Sequence, residues 1–176
     1  RRQPRAVDHE RDRDVLRAVV DKLAARTVLE FGPGESTELF VALGLEVVTC
    51  EYQEMWLANA RGRWRDHPHV SVRRFRNREK AEIDGPPLGQ FDIAFVDAPV
   101  GCMGRRRLPG QEKCSRLNTT LLALDHAPVV LLHDAHRPGE QETLRRVRRL
   151  GHQVAYLSPG SVRDRGKGVA RIDRCS

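Results

Sequence analysis

No apolar run in these 176 residues approaches the ~20 needed to cross a bilayer. Residues Arg1 to Arg13 are charged and carry no apolar leader core, which excludes a signal peptide within them. The first residue is not Met. A segment removed before it leaves location open: cytoplasm for a bacterial chain, or the secretory lumen if an N-terminal anchor was lost. Cysteine is limited to Cys50, Cys102, Cys114 and Cys175, with no C-x-x-C pair, so neither a zinc knuckle nor a dithiol redox motif is expected. Cys102 and Cys114 could bridge a loop in an oxidising compartment or stay as thiols. No internal repeat occurs. No basic stretch is interleaved with aromatics in the way that stacks unpaired bases. No Gly-Lys-Ser/Thr triplet offers a phosphate loop.

What remains is ordinary globular material with a basic bias. Hydrophobic residues make up 39% and charged residues 31%, and the net charge is +7. The length suits one domain over residues 1–176, with 1–8 as a flexible arm. The charge points to anionic partners, although arginine-rich composition also follows from a GC-rich genome.

Periodicity alternates between helix and strand. A helix is expected from Asp8 to Arg26, with Val15, Leu16, Val19, Val20 and Leu23 on one face. Strands are expected at Thr27 to Phe31, Leu45 to Cys50, His69 to Phe75, Phe91 to Val96 and Pro128 to Leu132. The helices between them run from Thr37 to Leu43, Gln53 to Arg65 and Ser115 to His126, the last with Ser115 as a candidate N-cap. In the second of these Trp56, Leu57, Ala60 and Trp64 share a face, with the tryptophans in the core. Glu79 to Gln90 and Gly101 to Gln111 read as loops. Gly139 to Leu150 reads as a helix with acids first and arginines last, matched to its dipole. Two last strands, Val154 to Leu157 and Gly168 to Ile172, have no helix between them and should form an antiparallel edge hairpin. Strand–helix alternation favours a mainly parallel sheet.

The organising stretch is Val28-Leu29-Glu30-Phe31-Gly32-Pro33-Gly34-Glu35-Ser36. A buried strand breaks at two glycines and a helix begins, the geometry that brings backbone N–H groups close to a ligand. A dinucleotide fingerprint requires a third glycine where Thr37 stands, so a nicotinamide cofactor is a distant reading. Glu51 falls about twenty residues beyond the turn, at the end of the second strand, where an acid can accept from both ribose hydroxyls. Tyr52 beside it could stack on a base. Phe75, Arg76 and Asn77 end the third strand, a further place for base contacts.

In an open parallel sheet, ligands bind outside the carboxyl ends of the strands. Four such ends carry acids: Glu30, Glu51, Asp97 and Asp134. Burying an unpaired acid is costly, and one cationic or polyhydroxyl ligand shared by all four would account for them. Asp97 and the run His133-Asp134-Ala135-His136 follow what should be neighbouring strands. Histidine is a reasonable base near neutrality, and Asp97 with Asp134 could hold Mg²⁺ or Mn²⁺. Local capping by His133 and His136 is the plainer alternative.

The pattern Glu30-x-Gly32-x-Gly34-x-Ser36 resembles the first motif of class I S-adenosylmethionine methyltransferases. The resemblance implies a Rossmann-like three-layer α/β fold. It also implies S-adenosylmethionine as cofactor, with the acid and glycines against its methionine part and ribose. Val96-Asp97-Ala98-Pro99-Val100-Gly101 and His133-Asp134-Ala135-His136-Arg137 are similar to motifs of the plant polysaccharide-biosynthesis family that includes glucuronoxylan 4-O-methyltransferases. That similarity spans roughly residues 27–150. It implies O-methylation of a hydroxyl on an anionic saccharide or related small molecule. Asp97, Gly101, His133, Asp134 and Arg137 occupy its matching positions. Cys102 replaces that family's aromatic residue, and the glycine turn differs between and after its glycines.

Glu30, Gly32, Gly34, Ser36, Glu51 and Tyr52 are therefore the cofactor candidates. Asp97, His133, Asp134 and His136 are the catalytic candidates. Arg105, Arg106, Arg107 and Arg137 are candidates for binding an anionic acceptor, since guanidinium forks pair with carboxylates. A nucleic-acid methyltransferase is the rival enzyme. Against it, Asp97-Ala98-Pro99-Val100 lacks the second proline and the aromatic of base-methylating motifs. A non-catalytic binding domain that kept the fold is the rival of another class.

Overall fold

The computed structural model describes residues 7–77, 81–99, 116–158 and 168–175, with the side chains of 7–9 and 77 set aside. Helix α1 (Val7–Leu23) leads into β1 (Thr27–Phe31), α2 (Glu35–Ala42), β2 (Glu46–Glu51), α3 (Glu54–Trp64) and β3 (Val70–Asn77). Then come β4 (Ala81–Ile83), β5 (Ile93–Val96), α4 (Leu117–His126), β6 (Val129–His133), α5 (Pro138–Arg149), β7 (Gln153–Tyr156) and β8 (Val169–Asp173). No helix among the described residues is long and apolar enough to cross a membrane.

The strands form one sheet in the order β4-β3-β2-β1-β5-β6-β8-β7. β3, β2, β1, β5 and β6 are mutually parallel. Parallel neighbours need crossover helices, and these cover both faces of the sheet. The central strands are accordingly apolar throughout: all four residues of β5 are buried. On one face Leu16, Val19 and Val20 of α1 pack with Leu39 and Phe40 of α2 over Val28, Phe95 and Leu131. On the other, Ala123 and Leu124 of α4 and Leu144 and Val147 of α5 cover Leu29, Phe31, Val96 and Leu132. Each of these Leu, Val and Phe side chains contributes about 1.5–3 kcal/mol relative to exposure.

The chain reverses direction across the sheet at β1. From β1 it winds outward through β2 and β3, then returns to β5 on β1's other side. That is the switch point where an open α/β sheet leaves a crevice. The expected C-terminal hairpin is present: β8 inserts antiparallel between β6 and β7.

Two expectations need correction. The polar stretch read as a loop contains β4, which returns antiparallel along the end of β3 and sets Ile83 opposite Phe75. Its apolar–polar alternation, Ala81-Glu82-Ile83, lasts only three residues, too short to mark a strand. On α3, Leu57 and Ala60 are buried, but Trp56 is 50% exposed. Trp56 adjoins Leu57 in sequence and so points about 100° away from it around the helix. Trp64 is half-buried and meets His67 edge-on. Ser115 lies outside the described residues, and Arg116 occupies the N-cap position of α4.

Candidate functional site

The crevice at the switch point is a cleft of about 230 Å³ lined by Asp12, Arg13 and Leu16 of α1, Gly32 to Ser36, Phe95, Asp97 and His133. Its floor is the glycine turn. Gly32 has φ +97°, and a Cβ there would lie 3.2 Å from both Ala98 Cβ and the Asp97 carbonyl carbon. Glycine is required for the conformation and for the close approach of the turn after β1 to the turn after β5. A Cβ on Gly34 would meet nothing within 4 Å, so the backbone there borders open space.

Glu30 holds this turn from beneath. It is fully buried and accepts hydrogen bonds from Ser36 Oγ (2.5 Å) and Thr37 Oγ1 (2.6 Å). Thr37 Oγ1 in turn accepts from the Gly34 N–H at 3.0 Å. The residue that departs from the dinucleotide fingerprint thus links the turn to the buried acid. Burial raises the Glu30 carboxyl to about 7, against the lowering effect of the Ser36, Thr37 and Thr49 hydroxyls. Glu51, one strand over, accepts the Tyr52 and Gln53 N–H groups on Oε1 at 2.7 and 2.8 Å. Burial raises its carboxyl too, against those two bonds. Tyr52 packs on Phe75, ring centroids 5.4 Å apart. Phe75 itself is buried beside Phe31.

At the ends of β5 and β6 the acids converge on cations. His133 Nδ1 lies 2.9 Å from Asp97 Oδ1, and Nε2 lies 3.1 Å from Asp12 Oδ2. With a carboxylate on each ring nitrogen, both nitrogens donate and the ring is an imidazolium. Burial works against that charge. The Asp97 charge, with the hydrogen bonds of Asp12 and Asp97, overcomes it and raises the pKa to about 10. Burial likewise works to raise Asp97, but the charge and hydrogen bond of His133 and the charge of Arg116 hold it below the usual carboxylate range.

Arg116 is the centre of this cluster and is 2% exposed. Nε donates to the Pro99 carbonyl (2.9 Å) and Nη1 to the His133 carbonyl (2.7 Å). Nη2 lies 3.0 Å from Asp97 Oδ1 and 3.2 Å from Asp134 Oδ2. Arg137 Nη1 reaches the same Asp134 oxygen at 2.7 Å. Glu140, buried in the first turn of α5, lies 3.5 Å from Arg116 Nε, and burial raises its carboxyl against the Arg116 charge.

The four strand-end acids therefore do not share one ligand. Hydroxyls satisfy Glu30, backbone N–H groups satisfy one oxygen of Glu51, and guanidinium groups pair with Asp97 and Asp134. Asp97, His133 and Asp134 do offer three donor atoms within 4.8 Å of one another. Two of those donors belong to carboxylates already paired with Arg116, one of them also with Arg137. The set holds guanidinium, and a divalent ion sharing these carboxylates would have to compete with the buried charge of Arg116.

Of the other candidates, His136 turns to the β7 edge: its ring stacks on Tyr156 at 5.0 Å, and Nε2 lies 3.3 Å from the Ser158 carbonyl. Arg137 pairs with Asp134. Arg105, Arg106, Arg107, Gly101, Cys102 and Cys114 fall outside the described residues, and Cys50 and Cys175 are free thiols. Sequence reasoning missed Asp12, Arg13 and Arg116. Asp12 left no signal, being 121 residues from His133. Arg116 left one: a cation at a helix N-terminus opposes the helix dipole, so an anion nearby was to be expected.

No family model and no curated protein matches the sequence. Solved structures do match in fold. The S-adenosylhomocysteine-bound methyltransferase PaMTH1 of Podospora anserina superposes with a TM-score of 0.57 at 17% identity, over 94% of this chain and 78% of that one. Precorrin-6y C5,15-methyltransferase of Geobacter metallireducens gives 0.54 at 13% identity, over 90% and 88%. The 23S rRNA methyltransferase ErmE gives 0.52 at 16%, over 93% and 68%. The chain has the class I methyltransferase fold. The similarity to the plant polysaccharide family finds no support among these neighbours, whose acceptors differ from one another.

Proposed function

We propose that this protein is an S-adenosylmethionine-dependent methyltransferase acting on a hydroxyl of an anionic saccharide or related small molecule. The observation that carries the reading is the cleft at the switch point, floored by the glycine turn and walled by Asp97. S-adenosylmethionine, when bound, supplies a methyl group on a sulfonium centre. The Gly32 to Gly34 turn and the first turn of α2 offer N–H groups to its methionine part. Glu51 has Oε1 engaged, and no described residue hydrogen-bonds Oε2, which is left for the ribose hydroxyls. Tyr52, packed on Phe75, is the candidate to stack on its base.

Asp97 is the acceptor-side group. Its side chain is 35% exposed, and its partners among the described residues, His133 and Arg116, both sit on Oδ1. Oδ2 can accept the hydrogen bond of an acceptor hydroxyl and orient its oxygen; held this low, Asp97 is a weak base and takes the proton only late, as the new C–O bond forms. His133, with both nitrogens engaged, is a donor that keeps Asp97 ionised and oriented; it is not the base. Asp134 acts behind it through Arg116 and Arg137. The anionic acceptor is supported by the net charge of +7 and by Arg13 in the cleft wall.

Calorimetric titration of S-adenosylhomocysteine into wild type and Glu51→Ala, with and without Mg²⁺, tests the reading. Saturable micromolar binding, weakened at least about tenfold in the variant, is expected. Labelled-methyl transfer to glucuronate-bearing oligosaccharides and to RNA then separates the two acceptor classes. Wild type that binds no S-adenosylhomocysteine sinks the reading and favours a binding domain that kept the fold.

A further inference from the structure

We infer that Arg116 is the positioning residue of the cleft: its buried guanidinium occupies the place between Asp97, His133 and Asp134 that a divalent ion would take. It joins the end of β5 to the end of β6, so that Asp97 presents its second oxygen to the cleft. This assignment rests on the methyltransferase reading for its purpose but on geometry alone for its substance.

The contacts of 3.2 Å or less divide evenly between the two strand ends, with Glu140 of α5 further off at 3.5 Å. On the β5 side Arg116 holds the Pro99 carbonyl and Asp97 Oδ1; on the β6 side it holds the His133 carbonyl and Asp134 Oδ2. Thr119, one turn into α4, adds a bond to the Ala98 carbonyl at 3.0 Å. The first turn of α4 thus clamps the Asp97–Pro99 segment against β6. Four acceptors in different directions match the planar fork of guanidinium; a single ammonium cannot reach them together. Arg116 Nη2 and His133 Nδ1 both meet Asp97 Oδ1, which turns Oδ2 the other way. A buried ion cluster is weak as a source of stability compared with apolar packing of the same volume. A cation at a helix N-terminus is weaker still. Orientation of Asp97 gives the cluster a use that stability does not.

The test combines Mn²⁺ titration followed by EPR with ¹⁵N NMR of the His133 ring. Wild type is expected to show no saturable Mn²⁺ binding at millimolar metal. Arg116→Lys keeps the charge and loses the fork. It is expected to bind S-adenosylhomocysteine within about threefold of wild type while the His133 Nδ1–H signal shifts or broadens as Asp97 is released. Saturable Mn²⁺ binding by wild type that Asp97→Asn abolishes would overturn the proposal. So would an Arg116→Lys variant with an unchanged His133 signal, because charge alone would then suffice. If Arg116→Lys does not fold, the Mn²⁺ titrations of wild type and Asp97→Asn still decide. Wild type that ignores S-adenosylhomocysteine defeats the methyltransferase reading alone, and the metal and ring measurements still judge Arg116.

Discussion

Glu30 shows how one buried group ties the glycine turn to pH. Its carboxyl titrates at about 7 in the folded chain against 4.5 as a free side chain. Between those values the folded state binds more protons than the unfolded state, so stability falls as pH rises through the window and is level above it. The penalty amounts to about 3 kcal/mol. Glu30→Gln removes the ionisation. Urea unfolding at about pH 4 and about pH 8 should show wild type losing that amount relative to the variant, which keeps only a pH-independent change in its bonds to Ser36 and Thr37. Equal pH dependence in both proteins would mean that Glu30 is not the titrating group.

At the scale of elements, α1 is fastened twice. Leu16, Val19 and Val20 anchor it in the core beneath the sheet, and Asp12 fastens its first half to His133 across the mouth of the cleft. Asp12 also lies 3.5 Å from Ser158 Oγ at the start of the β7–β8 connection. Asp12→Asn should therefore loosen the first turns of α1 while leaving the anchored half in place. Faster amide exchange there and a stability loss of about 1–3 kcal/mol are expected. Unchanged exchange would reduce the Asp12–His133 pair to an incidental surface contact.

The whole molecule couples these parts through the cleft, which draws on β1, α2, β5, β6 and α1 together. A ligand that binds only when all are in place stabilises the entire fold by mass action. S-adenosylhomocysteine at about 100 times its dissociation constant adds about 2.7 kcal/mol, and at this chain length that raises Tm by roughly 5–10 °C. Glu51→Ala, with its at least tenfold weaker binding, should lose about half of the rise or more at the same ligand concentration. A wild-type Tm indifferent to the ligand would agree with a calorimetric failure to bind and defeat the cofactor assignment.

Much of the fold could be read in advance because its determinants are local. Thr27 to Phe31 is apolar enough to be a central strand wherever it sits, Gly32 must be glycine for its own φ, and the sequence between Leu157 and Gly168 carries no helical pattern, which pointed to an antiparallel return of β8. The positions of Glu30, Glu51, Asp97 and Asp134 at strand ends followed from the same periodicity. Their partners did not. Glu30 is satisfied six and seven residues away by Ser36 and Thr37, but Asp97 meets Arg116 from further along the chain and His133 meets Asp12 from the far end of it. Which histidine faces the cleft, which arginine is buried, and whether Trp56 or Leu57 points inward depend on how helices settle on the sheet. Sequence alone determined the parallel strands, the turn and the acids, because backbone conformation and burial period act over a few residues. Only the tertiary structure decided what neutralises those acids, because Coulomb and hydrogen-bond partners are chosen by distance in space.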